Sequence, residues 1–265
     1  MPTGGLVAIF AHPDDETFGV GGTMAHYAAL GVPVTMVCAT RGEVGEIAPG
    51  TDATPETLGQ HREQELRDAM AILGVHDVRF LDFRDSGMRG TPENADPRNL
   101  MNAPSERVVG PLVEILRERQ PDAVATWDAS GGYGHPDHIA THHHATAAFQ
   151  AAGGRGRLFQ TAFPIEEWGR MLAAMRAAGI EMPDFGGDEQ LAALPRIAPN
   201  CVIDVSPYFE LKMRAMLAHR TQITPEDPFM RAPEDLRRSF FGREYFVRAH
   251  PALANGAVID DLFAP

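Results

Sequence analysis

Three features of the 265-residue sequence predict an α/β fold, with a Rossmann-like, mostly parallel sheet flanked by helices and an irregular C-terminal extension. Short apolar runs alternate with stretches of helical periodicity, the pattern of successive βαβ units. The first run is continuously apolar rather than alternating, as expected of a strand covered on both faces. The two segments richest in imidazole and carboxylate follow directly on two of the runs. Right-handed crossovers would bring such loops to one edge of the sheet, where open α/β sheets bind ligands.

Taken in order, Leu6 to Phe10 reads as the first strand. Thr17 to Leu30 is helical, with Gly19, Gly21 and Gly22 keeping its first turn close-packed or irregular. Pro33 to Ala39 is a second, β-branched strand, and a loop rich in Gly, Pro and Thr runs from Thr40 to about Gly59. His61 to Leu73 carries Leu66, Met70 and Leu73 at helical spacing, and Val78 to Phe83 is a third strand. Arg84 to Pro104 is a polar stretch of a length usually found in functional or disordered segments. Ser105 is expected to cap a helix reaching about Arg119. Asp122 to Trp127 is a fourth strand, followed by a glycine-rich turn and a helix from about His138 to Ala152. Ala162 to Gly179 contains a helix, and a loop near Met182 to Asp188 leads to the strand Cys201 to Val205. Pro207 to His219 is helical, and Glu244 to Arg248 forms a last strand. The chain 1–265 is expected to be one domain, with a core at about 1–160 and a pocket-shaping part at about 161–265.

Composition excludes several classes. A formal charge of −13 with no basic run argues against nucleic acid and anionic membrane surfaces as partners. No segment approaches the roughly 20 apolar residues of a membrane span. The first apolar run is too short, and lacks the charged start, for a signal peptide. Cys38 and Cys201 lie far apart and make no CxxC pair, so a reduced, cytoplasmic setting is expected. The single lysine, Lys212, sits in a helical pattern and reads as a solvated residue. Schiff-base chemistry would have to use it. The glycines at 19, 21 and 22 do not make GxGxxG, which weakens a dinucleotide reading.

Chemistry concentrates in Ala11-His12-Pro13-Asp14-Asp15-Glu16, after the first strand, and Gly131-Gly132-Tyr133-Gly134-His135-Pro136-Asp137-His138, after the fourth. A lone His-Pro or Asp-Asp is usually polar surface. Two such clusters, each stiffened by proline and each just after a strand, suit a metal held by two imidazoles and one carboxylate. Zinc takes such ligands and leaves a position for water; iron(II) fits the same donor types. Spacing leaves open which three of the candidates bind.

With an AHPDDE loop after the first strand and an HPDH loop further on, the sequence resembles the LmbE/PIG-L-like N-acetylglucosaminyl deacetylases. The likeness covers most of the first 150 residues and, more loosely, Lys212 to Gln222. Arg84-Asp85-Ser86-Gly87-Met88 and Gly131 to His138 look most like the branch acting on mycothiol-type glucosaminyl-inositol compounds. Thr17 to Gly22 follows the pattern of the wider family, and the C-terminal third matches poorly. The resemblance implies His12, Asp15 and His138 as metal ligands and Asp14 as the general base toward the attacking water. It implies His135 as an electrostatic stabiliser and acid, Asp137 orienting the His135 ring, and Tyr133 reaching the developing oxyanion. Arg62 and Asp85 match residues that hydrogen-bond sugar hydroxyls.

Amide hydrolysis asks for these types, since it needs an activated nucleophile and a stabilised oxyanion. Other residues are read more plainly. Glu16 supports the helix start rather than a metal, and His142, four residues after His138, shares its helix face. Glu43 and Glu46 fall on the ligand edge, and His219 falls in the C-terminal resemblance. The expected activity is removal of the acetyl group from an N-acetylglucosaminyl small-molecule conjugate. The alternatives are an amidase for a mycothiol-type thiol S-conjugate, a deacylase tailoring a secondary metabolite, and a sugar- or metal-binding protein with a vestigial site. Retention of Asp14 argues against the last, because a binding module needs ligands but no base.

Overall fold

The computed structural model describes residues 4–181 and 197–265. A seven-stranded sheet runs through it in the order β3-β2-β1-β4-β5-β7-β6. Its first five strands in chain order are β1 (Leu6–Phe10), β2 (Val34–Thr40), β3 (Asp77–Phe83), β4 (Ala123–Thr126) and β5 (Arg157–Thr161), all parallel to their neighbours among these five. The last two, β6 (Cys201–Asp204) and β7 (Arg243–His250), add an antiparallel edge. The α/β reading therefore holds, with one strand added: β5 had no counterpart in the sequence reading.

Both faces of the sheet are covered. Along β1, Leu6, Ala8 and Phe10 pack into one apolar cluster with Met24, Leu66 and Met70, while Val7 and Ile9 pack into another with Leu112, Leu116 and Phe149. The first cluster belongs to α2 (Gly21–Ala29) and α3 (Leu58–Ile72), the second to α4 (Ser105–Arg119) and α6 (Pro136–Ala151). This double burial is why the strand is continuously apolar.

Sequence and structure part at several points. The helix expected over Thr17 to Leu30 is two: α1 (Asp15–Gly19) and α2, separated at Val20 with φ −147°. A Cβ on Gly22 would stand 2.5 Å from Cβ of Val205, so glycine lets α2 close on the end of β6. Ser105 does not cap α4; it is the first helical residue, the extended Pro104 precedes it, and no side chain caps the turn. The short turn α5 (Gly131–Gly134) leads into α6, which begins at Pro136 rather than His138. In the C-terminal third lie α7 (Ile165–Ala177), α8 (Phe209–Met216), α9 (Pro228–Arg231) and α10 (Glu234–Phe241). The loop expected near Met182 to Asp188 lies outside the described residues. Among the described residues, no helix is long and apolar enough to cross a membrane.

Lys212 overturns its reading as a solvated residue. It is 1% exposed, donates to Glu244 Oε1 at 2.6 Å and to the Phe18 carbonyl at 3.1 Å. Glu244 also accepts the backbone N–H groups of Gly22 and Thr23, both at 2.8 Å, at the N-terminus of α2. One buried ion pair thus ties α1, α2, α8 and β7 together. Removing one partner of such a pair leaves the other charge uncompensated, at about 3–5 kcal/mol. Lys212→Met is accordingly expected to lower the unfolding free energy by about that amount in urea titration; a loss below about 1 kcal/mol would mean that the two backbone donors satisfy Glu244 alone.

Candidate metal centre and cleft

Strand order reverses between β1 and β4: β2 and β3 extend the sheet from one side of β1, β4 and β5 from the other. At such a switch point the loops after the two central strands diverge and leave a crevice. The loops that follow are His12–Glu16 after β1 and Trp127–His138 after β4, so topology brings the two polar motifs together.

Three side-chain donors meet there. His12 Nδ1 lies 3.2 Å from His138 Nε2 and 3.5 Å from Asp15 Oδ2, and His138 Nε2 lies 3.2 Å from Asp15 Oδ1. Donors about 2.0–2.2 Å from a tetrahedral zinc stand roughly 3.3–3.6 Å apart, so the triangle fits a small divalent metal. Each donor is fixed from behind. His138 Nδ1–H donates to the Gly131 carbonyl at 3.1 Å, leaving the Nε2 lone pair inward, and Trp127 stacks on the ring at 4.1 Å. The His12 amide donates to Asp15 Oδ2 at 2.8 Å. His12 Nε2 faces Asp137 Oδ2 at 3.3 Å and Asp85 Oδ1 at 3.5 Å.

Two other groups of possible ligands include His12: one with His135 and His138, the other with Asp85 and Asp137, which face His12 Nε2 rather than Nδ1. The carboxylates of the second group already have donors. Asp137 accepts from the amide and hydroxyl of Ser86, and Asp85 Oδ1 accepts from the Gly87 amide at 2.8 Å. They read as outer supports that set the His12 tautomer.

Electrostatics follow from this packing. Burial opposes a charge on His12, but Asp85 and Asp15 overcome it and raise its pKa well above the usual imidazole value. Burial would raise Asp15, yet His138 and His12 hold it well below the carboxylate range. Burial lifts Asp14 to about 6, against the pull of Arg62. Burial, with the charges of His12 and His138, depresses His135 to about 2, so its imidazole is neutral.

Asp14 occupies a backbone region L-residues rarely adopt, φ 111° and ψ −34°, a strain of about 1–3 kcal/mol that only surrounding bonds sustain. Glu16 Oε2 accepts its amide at 2.9 Å, and the Thr17 amide and hydroxyl donate to its carbonyl. Arg62 donates to the Pro13 carbonyl at 2.6 Å, to Asp14 Oδ2 at 3.1 Å and to the Gly42 carbonyl at 2.8 Å. The arginine expected on sugar hydroxyls therefore spends both terminal nitrogens on the Asp14 loop and Gly42; Nε, buried, has no hydrogen-bond partner among the described residues.

The relation expected between Asp137 and His135 needs correction. The Asp137 carboxylate turns to His12 and Ser86. It is the Asp137 amide that meets His135, donating to Nδ1 at 3.1 Å where His135 caps α6. That bond places the remaining ring proton on Nε2.

A cleft of about 1130 Å³ opens on the centre, and His12, Asp14, Asp15, Arg62, Asp85, Tyr133 and His135 all line it. Glu46 lines it too; Glu43 instead accepts the Asp85 amide at 3.1 Å. His142 Nδ1–H donates to the Trp127 carbonyl at 2.9 Å, and His219 is buried behind Glu16. Ser86, Trp127 and an aromatic wall of Phe163, Trp168, Phe229 and Phe240 were not foreseen. Ser86 stood within a quoted motif, whereas the wall residues come from separate C-terminal elements with no common pattern.

The same two loops fall inside residues 7–149, which match the family described as PIG-L: GlcNAc-PI de-N-acetylase. This chain belongs to the PIG-L family. The PIG-L-family chain is 39% identical over 278 residues to a 1D-myo-inositol 2-acetamido-2-deoxy-alpha-D-glucopyranoside deacetylase of Acidothermus cellulolyticus, covering 98% of this chain and 94% of the relative. A protein of the same description from Actinosynnema mirum is 43% identical over 232 residues, covering 83% and 81%. Among solved structures, a conserved protein from Thermus thermophilus aligns with TM-score 0.59 at 26% identity, over 95% of this chain and 97% of that one.

An outer carboxylate on a ligating histidine is typically worth about 10–100-fold in metal affinity. Asp137→Asn is expected to weaken zinc binding by that factor in competition with a chromogenic chelator. Unaltered affinity would show that His12 needs no such support.

Proposed function

We propose that this PIG-L protein is a single-metal, zinc-dependent deacetylase whose substrate is an N-acetylglucosaminyl-inositol, with His12, Asp15 and His138 as ligands and Asp14 as base. The observation that carries the reading is the meeting of His12, His138 and the two Asp15 oxygens at 3.2–3.5 Å from one another, with a second acid, Asp14, on the same cleft. The likeness to deacetylases named for that inositol glycoside, over 98% and 83% of this chain, supports the substrate. Iron(II) suits the same donors. Cys38 and Cys201, both buried as free thiols, support a reduced, cytoplasmic setting.

A divalent metal held there supplies Lewis acidity, polarising the acetamide carbonyl and making water a better nucleophile near neutral pH. Asp14 takes the proton of the attacking water, steered by Arg62 on its Oδ2. The water oxygen bonds to the carbonyl carbon, the C–N bond breaks, and acetate leaves. The proton on Asp14 passes to the sugar nitrogen, giving the free amine. His135, neutral with its proton on Nε2, and the Tyr133 hydroxyl are donors to the developing oxyanion. A neutral His135 serves as a hydrogen-bond donor rather than as the acid, which leaves the proton delivery to Asp14. Asp85 and Glu46 on the cleft wall are acceptors for sugar or inositol hydroxyls.

A second reading, cleavage of a bulkier amide such as a thiol S-conjugate, is favoured by the aromatic wall. Phe163 is 51% exposed and its ring lies 5.2 Å from Trp168, a surface suited to an apolar substituent.

Free-amine release from a panel of N-acetylglucosaminyl compounds and thiol conjugates, by zinc-loaded and chelated protein, tests the proposal. Zinc-dependent release with the inositol glycoside preferred is expected. Preference for conjugates would favour the second reading, and no release from any member by metal-loaded protein would sink both. Asp14→Asn is expected to keep its metal and lose about 10²–10⁴-fold in kcat, the share of general base catalysis. Retention of more than about a tenth of the rate would remove Asp14 from that role.

A further inference from the structure

The strained backbone of Asp14 is held on two sides, and both holders lead to one segment of the C-terminal third. On the amide side, Glu16 bridges the Asp14 N–H at 2.9 Å and His219 Nε2 at 2.8 Å, and Glu16 and His219 are both 0% exposed. On the carboxylate side stands Arg62, carried by α3. The same helix carries Glu65, which accepts the Thr221 amide at 2.9 Å and the Thr221 hydroxyl at 2.7 Å. The turn after α8 fixes His219 itself: its carbonyl accepts the amides of Gln222 at 2.9 Å and Ile223 at 2.7 Å. His219 is not among the residues lining the cleft.

We propose that Glu16 and His219 form a positioning pair for Asp14, so that a C-terminal histidine that never meets substrate governs turnover. The proposal rests on the reading of Asp14 as base. Without a donor from His219, the buried Glu16 carboxylate keeps only the Asp14 amide among these partners. It must then rotate toward another donor or water, releasing that amide. Asp14 then relaxes from φ 111°, and its carboxylate leaves the position Arg62 steers. The donors His12, Asp15 and His138 are held through Gly131, Asp137 and the His12 amide, so metal retention does not depend on the pair.

Zinc-loaded, full-length His219→Leu and His219→Gln test it, with metal content, KM and kcat measured on the substrate the wild type turns over best. His219→Leu is expected to keep one metal per chain and a KM within about twofold, while kcat falls about 10²-fold, the effect of a misplacement near 1 Å. Gln carries an N–H where His219 Nε2 stands, so His219→Gln should return kcat to within about fivefold of wild type. Unchanged kcat in His219→Leu, failure of Gln to restore it, or metal lost in step with kcat would each overturn the pairing. Should His219→Leu not fold, His219→Asn takes its place: its amide is too short to reach Glu16, and it must lose kcat where Gln keeps it. Asp14→Asn run in parallel separates the two ideas. An active Asp14→Asn sinks the base, whereas an inactive one beside an unimpaired His219→Leu sinks only the positioning pair.

Discussion

The structure depends on keeping a dense set of carboxylates buried. Asp15, Glu16, Asp85 and Asp137 are each at most 7% exposed, and all belong to or face the crevice between β1 and β4. A buried carboxylate is tolerable only with donors or cations around it. Much of the surrounding architecture reads as the answer to that demand. Ser86 and Gly87 turn their amides inward, His219 closes on Glu16, and the backbone of the AHPDDE loop bends back so that the His12 amide meets Asp15. The parallel sheet sets the demand, because only a strand-order reversal places two such loops side by side.

The parts of this that were legible in the sequence are those with local signatures. A continuous apolar run marked β1, runs rich in β-branched and aromatic residues marked β2, β3 and β4, and the two motif loops directly after β1 and β4 located the crevice. β5 escaped because Arg157–Thr161 is short, mixes Arg and Gln with its apolar residues, and follows the glycines 153, 154 and 156. The glycines at 19, 21 and 22 marked an irregular first turn but not its partner, because Val205, which packs on Gly22, lies far along the chain. Lys212 was misread for a similar reason: helical periodicity reports the helix, not the carboxylate of Glu244 that waits 32 residues away on β7. Arg62 and Asp137 stood in the right place, but a motif does not say which atoms a guanidinium or carboxylate will face.

The C-terminal third illustrates how a region outside the two motif loops can still be bound to the site. Its strands extend the sheet antiparallel, its aromatic side chains wall the cleft, and its segment 219–222 fastens the loops of the parallel core. Gln222 donates to the Glu46 carbonyl at 2.8 Å and the Ala48 amide donates to the Thr221 carbonyl at 2.9 Å, so the long loop after β2 is held as well. A wall built from aromatic side chains of separate C-terminal segments constrains few individual positions, which is why the pocket had no sequence signature. The fastening segment is different, since each of its bonds has one partner and one geometry.

The titration behaviour of the centre gives the strongest physical reason for a cation there. Around His12 stand three carboxylates, Asp15, Asp85 and Asp137, and the nearest guanidinium, Arg62, is turned to Asp14. Burial alone would strip His12 of its proton, yet the carboxylates raise its pKa well above the usual value. Asp15 and Asp85 are meanwhile held low by the histidines they face. The carboxylates around His12 thus favour positive charge at the site. On the proposed reading, a divalent ion held by His12, His138 and Asp15 would supply that positive charge in place of the proton. Metal affinity should then weaken as protons compete for the same lone pairs, and the carboxylates that raise His12 are the ones that favour the ion. Asp14, held by Arg62, is the acid of the loop to which the proposed function assigns the attacking water.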